Sequence, residues 1–345
     1  MKYSKVYIDT IGYQLAPAVI TSADLEKRLE PLYRALRFQP GQLEALTGIR
    51  ERRWWEPGYP LSHGAVTAGQ KAVRESGVPM EAIGALIYAG VCREQFEPAT
   101  ACRVAAGLGV AESCAVYDIS NACLGVLNGM LDIANRIELG QIRAGLVVSC
   151  ESARDINDII ISRLVNEPRM ELFAASLATL TGGSGAVAVL LTDGSFGSTR
   201  RRLIGGVTKA APEHFGLCRW GIAPQGELFS QYMATDAVSV MKYGVELGSR
   251  TWEAFLSELG WKAGEVDRTV CHQVGSIHQA EILKTIGISS GNDFITYPFL
   301  GNMGTVSLPI SAALADEREF LEPGHRVGFL GIGSGLNCLM LGIEW

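Results

Sequence analysis

Three side chains far apart in the chain have the types that cooperate in acyl transfer: Cys123, His272 and Asn302. Cys123 lies in Val116-Tyr117-Asp118-Ile119-Ser120-Asn121-Ala122-Cys123-Leu124-Gly125, which reads as a buried strand, a small-residue turn and a helix opening at Ala122. A helix start offers unpaired N–H groups and a partial positive charge, which favour the thiolate, the form that attacks carbon. A lone cysteine there is more often a small packing residue, so it needs partners. Residues 266–274 contain a predicted strand ending in His272-Gln273, and His272 supplies a base or a cation. Asn302, in Gly301-Asn302-Met303-Gly304, opens a predicted helix and supplies a donor that does not titrate, suited to a developing oxyanion.

The elements that must position these groups follow from the pattern of apolar residues. Near-continuous apolar strands (85–91, 145–150, 186–191, 203–208, 326–331, 338–345) alternate with helical stretches (63–77, 98–108, 122–138, 238–259, 307–320), which predicts an α/β fold with buried sheets. The helix from Ala122 is apolar nearly all round and belongs in the centre. Ser22-Ala23-Asp24-Leu25 predicts a capped helix with Ser22 as N-cap. Residues 152–180 read as a helical insertion, 209–233 as loop, and 294–297 as a short strand. The halves echo each other: Glu138-Leu139-Gly140 precedes one strand and Glu322-Pro323-Gly324 another, and a small-residue turn with a polar or reactive side chain opens the helix before each. Gly331-Ile332-Gly333-Ser334-Gly335 suggests a dinucleotide loop, but too little chain follows for a βαβ unit, so backbone N–H donation is the better role.

With 345 residues, 48% hydrophobic and 19% charged, the chain can bury a large core. A net charge of −6 argues against a nucleic-acid partner. The eight cysteines form no CxxC pair, which excludes a zinc ribbon or thioredoxin motif. The start reads as a strand rather than a signal core, and no apolar run reaches membrane-span length, so a reduced, cytoplasmic protein is expected.

Asp118-Ile119-Ser120-Asn121-Ala122-Cys123, His272-Gln273, Gly301-Asn302 and the terminal Gly-Ile-Gly-Ser-Gly-Leu run together resemble the thiolase superfamily, in its 3-ketoacyl synthase III-like branch. The resemblance implies two similar halves, 1–196 and 197–345, in a five-layer α-β-α-β-α fold, and a homodimer. It implies a Cys123, His272 and Asn302 catalytic set, with an oxyanion hole from the N–H groups of Cys123 and Ser334. Two departures weaken carrier-protein use: Leu46 stands where initiating synthases carry an arginine, and Ile277 where they carry a basic docking residue. Where such synthases tend to carry phenylalanine, this chain has Glu97, as in the branch that joins two fatty acyl-CoA molecules head to head without loss of CO₂. An unactivated thioester needs a base at its α-carbon, and Glu97, reaching across the dimer, is the implied base. The expected substrates are fatty acyl-CoAs, with no metal or redox cofactor and with downstream pathway enzymes. The alternative is a decarboxylating synthase using a malonyl thioester. Arg50, Arg52 and Arg53 are candidate CoA-phosphate contacts.

Overall fold

The computed structural model describes residues 1–197, 200–225 and 228–345. In the first half, β1 (Tyr7–Leu15) leads to β2 (Ala18–Thr21), then α1 (Ser22–Arg28), α2 (Glu30–Leu36), α3 (Gln42–Thr47), β3 (Glu51–Trp54) and α4 (Leu61–Ser76). There follow β4 (Ile83–Ala89), α5 (Thr100–Leu108), β5 (Ala115–Ile119), α6 (Gly125–Glu138), β6 (Ala144–Glu151), the inserted α7 (Arg154–Asn166) and α8 (Met170–Leu180), and β7 (Gly185–Thr192). The second half has β8 (Arg202–Ala210), β9 (Cys218–Gln225), β10 (Leu228–Thr235), α9 (Ala237–Leu259), β11 (Arg268–Cys271) and α10 (Ser276–Ile286). It ends with α11 (Tyr297–Leu300), α12 (Ser307–Glu317), β12 (Arg326–Gly333) and β13 (Asn337–Glu344).

The strands form one nine-stranded sheet in the order β11-β12-β13-β8-β1-β7-β6-β4-β5. Its two halves meet at β1 and β8, which share a single register pair, Tyr7 with Arg202. Each half repeats one order. β1, α4, β4, α5, β5, α6, β6 and β7 correspond to β8, α9, β11, α10, the 293–296 segment, α12, β12 and β13. Within both, two parallel neighbours are followed by antiparallel pairing to the last strand.

The core lies between the half-sheets. Val126, Met130 and Ile133 of α6 and Leu308, Ile310 and Ala312 of α12 belong to one buried cluster with residues of both half-sheets. α4 and α5 cover the outer face of the first half-sheet, and α9 and α10 that of the second. The layering is thus α-β-α-β-α, and α6 is central, as its apolar circumference requires.

Three local expectations are corrected. Thr21, not Ser22, caps α1: its hydroxyl accepts the Asp24 N–H at 3.0 Å, while Ser22 Oγ donates to Ile49 O at 2.5 Å. Residues 209–233 are not mainly loop, because most of them build the β9–β10 hairpin. Segment 294–297 is not a strand. The Gln273 side-chain carbonyl takes the N–H groups of Thr296 and Tyr297, and only one bridge, Thr269 to Asp293, marks where pairing would be. All eight cysteines are free thiols, and no helix among the described residues is long and apolar enough to cross a membrane.

Candidate active site

Cys123 sits on the turn between β5 and α6. The helix opens at Gly125 rather than at Ala122, because Ala122 takes a positive φ of 45° that no helix accommodates. Leu124 N–H donates to Asn121 O at 2.9 Å, and the Val126 N–H goes to Thr305 Oγ1 of the second half at 2.7 Å. Part of the donor array that would stabilise a thiolate is thus already engaged. Burial pushes the Cys123 thiol up to about 12, helped by the charge of Glu151. Burial thus opposes the thiolate that a helix start would favour.

His272 follows β11 directly, and its N–H donates to Leu330 O at 2.9 Å, extending the β11–β12 ladder. The next residue, Gln273, is fully spent as a brace: its amide donates to Cys271 O at 2.7 Å and its oxygen accepts two backbone N–H groups. Burial drives His272 down to about 3, with a further push from His278, so the imidazole is neutral. Among the described residues its buried Nδ1 has no hydrogen-bond partner.

Asn302 is locked by its backbone. Its N–H donates to Thr181 O at 2.9 Å, and its carbonyl accepts from Gly183 N–H at 2.8 Å. The approach demands glycine at 183, where a Cβ would fall 2.1 Å from Leu300 O. The Gly304 N–H points at the side-chain oxygen of Asn302 at 3.0 Å. A backbone N–H needs an acceptor, so the amide NH₂ is the end left for a ligand.

Cys123, His272, Asn302 and Ser334 line one cavity of about 530 Å³. Gly333 lies against Cys123: a Cβ there would sit 3.4 Å from Cys123 N. The glycine-rich run passes from β12 by a turn into antiparallel β13, as the rejection of a dinucleotide loop requires. Much of the remaining lining is apolar, including Ile156, Val240, Met233 and Ile332, with Trp220 at the hairpin.

Other predicted residues lie elsewhere. Glu97 is exposed in the loop joining β4 to α5 and does not line this chain's cavity. Arg52 is corrected as a phosphate contact: it is fully buried, donates to Ser22 Oγ and Leu180 O, and is lowered to about 10 by desolvation. Arg50 is exposed and Arg53 half-buried; neither lines the cavity. Leu46 packs beside the helical insertion, and Ile277 is 54% exposed. Arg200, Arg201 and Arg202 line a separate cavity with Arg326 and Trp345.

Sequence reasoning missed Arg219 and Tyr232 of the hairpin, Glu151 at the end of β6, and His278 on α10, all of which line the cavity that holds Cys123. Gly221 and Pro224 interrupt the hairpin's alternation, so no strand signal led to its residues.

Residues 256–345 match the family described as 3-Oxoacyl-[acyl-carrier-protein (ACP)] synthase III C terminal. Over the full length of both proteins, the chain is 56% identical to the acyl-CoA:acyl-CoA alkyltransferase of Shewanella oneidensis. The chain belongs to the acyl-CoA:acyl-CoA alkyltransferase family. The alkyltransferase of Xanthomonas campestris pv. campestris is 34% identical, again over the whole of both chains. A solved structure of Xanthomonas campestris OleA superposes with a TM-score of 0.94 at 35% identity, covering 100% of this chain and 98% of that one. Solved forms of that alkyltransferase include variants at one cysteine, one glutamate and one histidine, and a complex with lauric acid and lauroyl-CoA.

Proposed function

We propose that this enzyme joins two long-chain fatty acyl-CoA molecules by a Claisen condensation without decarboxylation, giving a 2-alkyl-3-ketoacyl-CoA. The observation that carries the reading is the convergence of Cys123, His272 and Asn302 on one largely apolar cavity, in a chain whose full-length relatives bear the alkyltransferase name.

In the first half-reaction the Cys123 thiol gives its proton to His272 as sulfur attacks the first thioester carbonyl. The C–S bond to CoA breaks, CoA leaves as the thiol with that proton, and an acyl-cysteine remains. The backbone N–H groups of Cys123 and Ser334 hold the oxyanion. In the second, His272 and the Asn302 NH₂ hold the thioester oxygen of the second acyl-CoA. Glu97 of a second copy removes its α-proton, the enolate carbon bonds to the acyl carbon, and the bond to Cys123 sulfur breaks. The chemistry calls for no metal or redox cofactor, and the amphiphilic product passes to downstream enzymes in the cytoplasm.

Two facts support Glu97 in this role. In the Xanthomonas alkyltransferase the varied glutamate precedes the varied cysteine by as many residues as Glu97 precedes Cys123. Further, the Glu97 loop is tied to the sheet's edge strand: the Asp118 carboxylate of β5 accepts the N–H groups of Thr100 and Ala101 at 3.0 and 2.9 Å. A homodimer formed along that edge would carry the loop to its neighbour.

Purified protein given myristoyl-CoA alone tests the reading. Release of CoA with a doubled-chain ketone, formed after spontaneous decarboxylation, supports it. Free fatty acid alone indicates hydrolysis, and turnover only with malonyl-CoA overturns it.

A further inference from the structure

Glu151 lies at the end of β6 and is 4% exposed, yet it has no part in the reaction described above. It lines the cavity that holds Cys123. Its carboxylate is occupied on both oxygens: Oε1 accepts the Val91 N–H at 2.9 Å and Oε2 accepts the Cys92 N–H at 3.1 Å. Those two residues are the root of the loop that carries Glu97. The same side chain packs on the Asn302 turn, where a Cβ on Gly304 would meet Glu151 Cγ and Cδ at 3.5 Å.

The loop is clamped again by Tyr88, whose hydroxyl shares its one proton between Cys92 O at 2.7 Å and Cys150 O at 2.9 Å. Glu94 takes the Ser62 N–H at 2.8 Å and pairs with Arg103 at 2.9 Å. Beyond these clamps, residues 95–98 stand exposed, with Phe96 at 92%. Burial raises the Glu151 pKa and the Val91 and Cys92 donors offset this in part, so what the two hydrogen bonds establish is an anchor on the loop root. A buried carboxylate is costly unless such donors satisfy it, and here the Val91 and Cys92 N–H groups do so.

We infer that Glu151 is a positioning residue for condensation: it fixes the root of the Glu97 loop against the Asn302 turn, and so sets where Glu97 is presented. This rests on the reading of Glu97 as the α-proton base. Glu151→Gln keeps the volume but turns an NH₂ toward one of the two backbone donors and loosens the loop root. Tyr88→Phe loosens the same root from the opposite side.

The test follows two readouts on the full-length protein with lauroyl-CoA: acylation of Cys123 by intact-mass spectrometry, and condensed product at steady state. Misplacing a reacting group by about 1 Å costs up to about 100-fold. Condensation by the Glu151→Gln protein should therefore fall about 10- to 100-fold more than acylation does. Tyr88→Phe should shift the same ratio in the same direction, and it decides the matter if Glu151→Gln does not fold. Added to Glu97→Ala, Glu151→Gln should cause little further loss of condensation. Equal loss of acylation and condensation in both variants, or full additivity with Glu97→Ala, overturns the inference. If Glu97→Ala itself condenses normally, the reading of Glu97 fails and takes this inference with it. If Glu97→Ala is dead in condensation while Glu151→Gln is normal, only the inference falls.

Discussion

Burial raises the Cys123 thiol and lowers the His272 imidazole, and this has a pH signature. With the thiol held up to about 12 and the imidazole down to about 3, thiolate rises steadily with pH and shows no plateau near neutrality. Iodoacetamide labelling of Cys123 without substrate, followed by mass spectrometry, should accelerate continuously from pH 6 to 9. A plateau near pH 7 would mean a standing thiolate–imidazolium pair. Stability carries the matching sign. An unfolded histidine takes a proton below about 6.5 whereas His272 refuses one until about 3, so its contribution is present above 6.5 and is lost as pH falls toward 3. His272→Asn should flatten the acid limb of stability against pH by up to about 1.4 kcal/mol per pH unit, measured by denaturant titration; an unchanged slope would contradict this. Cysteine, histidine and asparagine were legible because their turns are marked by small residues and glycines. The protonation state was not, because it depends on burial and on Glu151, which the sequence does not place beside Cys123.

At the scale of elements, the hairpin of β9 and β10 is the piece that sequence did not reveal. Register pairs Trp220 with Met233 and Cys218 with Thr235, so the face that lines the cavity is assembled only when the strands align. Arg219 is exposed at the cavity and forms no ion pair among those found in the described residues. It is a better candidate for the CoA phosphates than buried Arg52. Arg219→Ala should raise KM for acyl-CoA about 3- to 10-fold with kcat little changed, as befits a solvated charge pair worth ~1 kcal/mol. An unchanged KM removes Arg219 from the binding path. Packing makes a second test: Gly183→Ala would put a methyl group on Leu300 O, displace the Asn302 turn, and cost ~2–4 kcal/mol in unfolding free energy. Normal stability and activity would show that the turn yields more easily than its geometry implies.

Across the whole molecule, the alternation of buried strands and helices was enough to read an α/β fold, and the echo between halves appears as a repeated strand order. A docking edge for a second copy was not readable, since pairing with a partner would leave no periodic trace in a strand such as β5. Mixed dimers provide the test. Cys123→Ala and Glu97→Ala proteins should each fail to condense alone, whereas refolding them together should restore product, because a hybrid then holds one complete site. No recovery, with hybrids demonstrated by native mass spectrometry, would place Glu97 within its own subunit.

The repeated order also bears on ancestry. The Cys123 turn and the Asn302 turn occupy equivalent places in the two halves, and both face one cavity. An ancestor made of two identical units would have offered this cavity the same side chain twice. Here the two turns differ: one presents a thiol to the cavity and the other an amide. Neither half retains a full set of tools, so the halves can no longer be exchanged, and the inheritance of catalysis depends on keeping both.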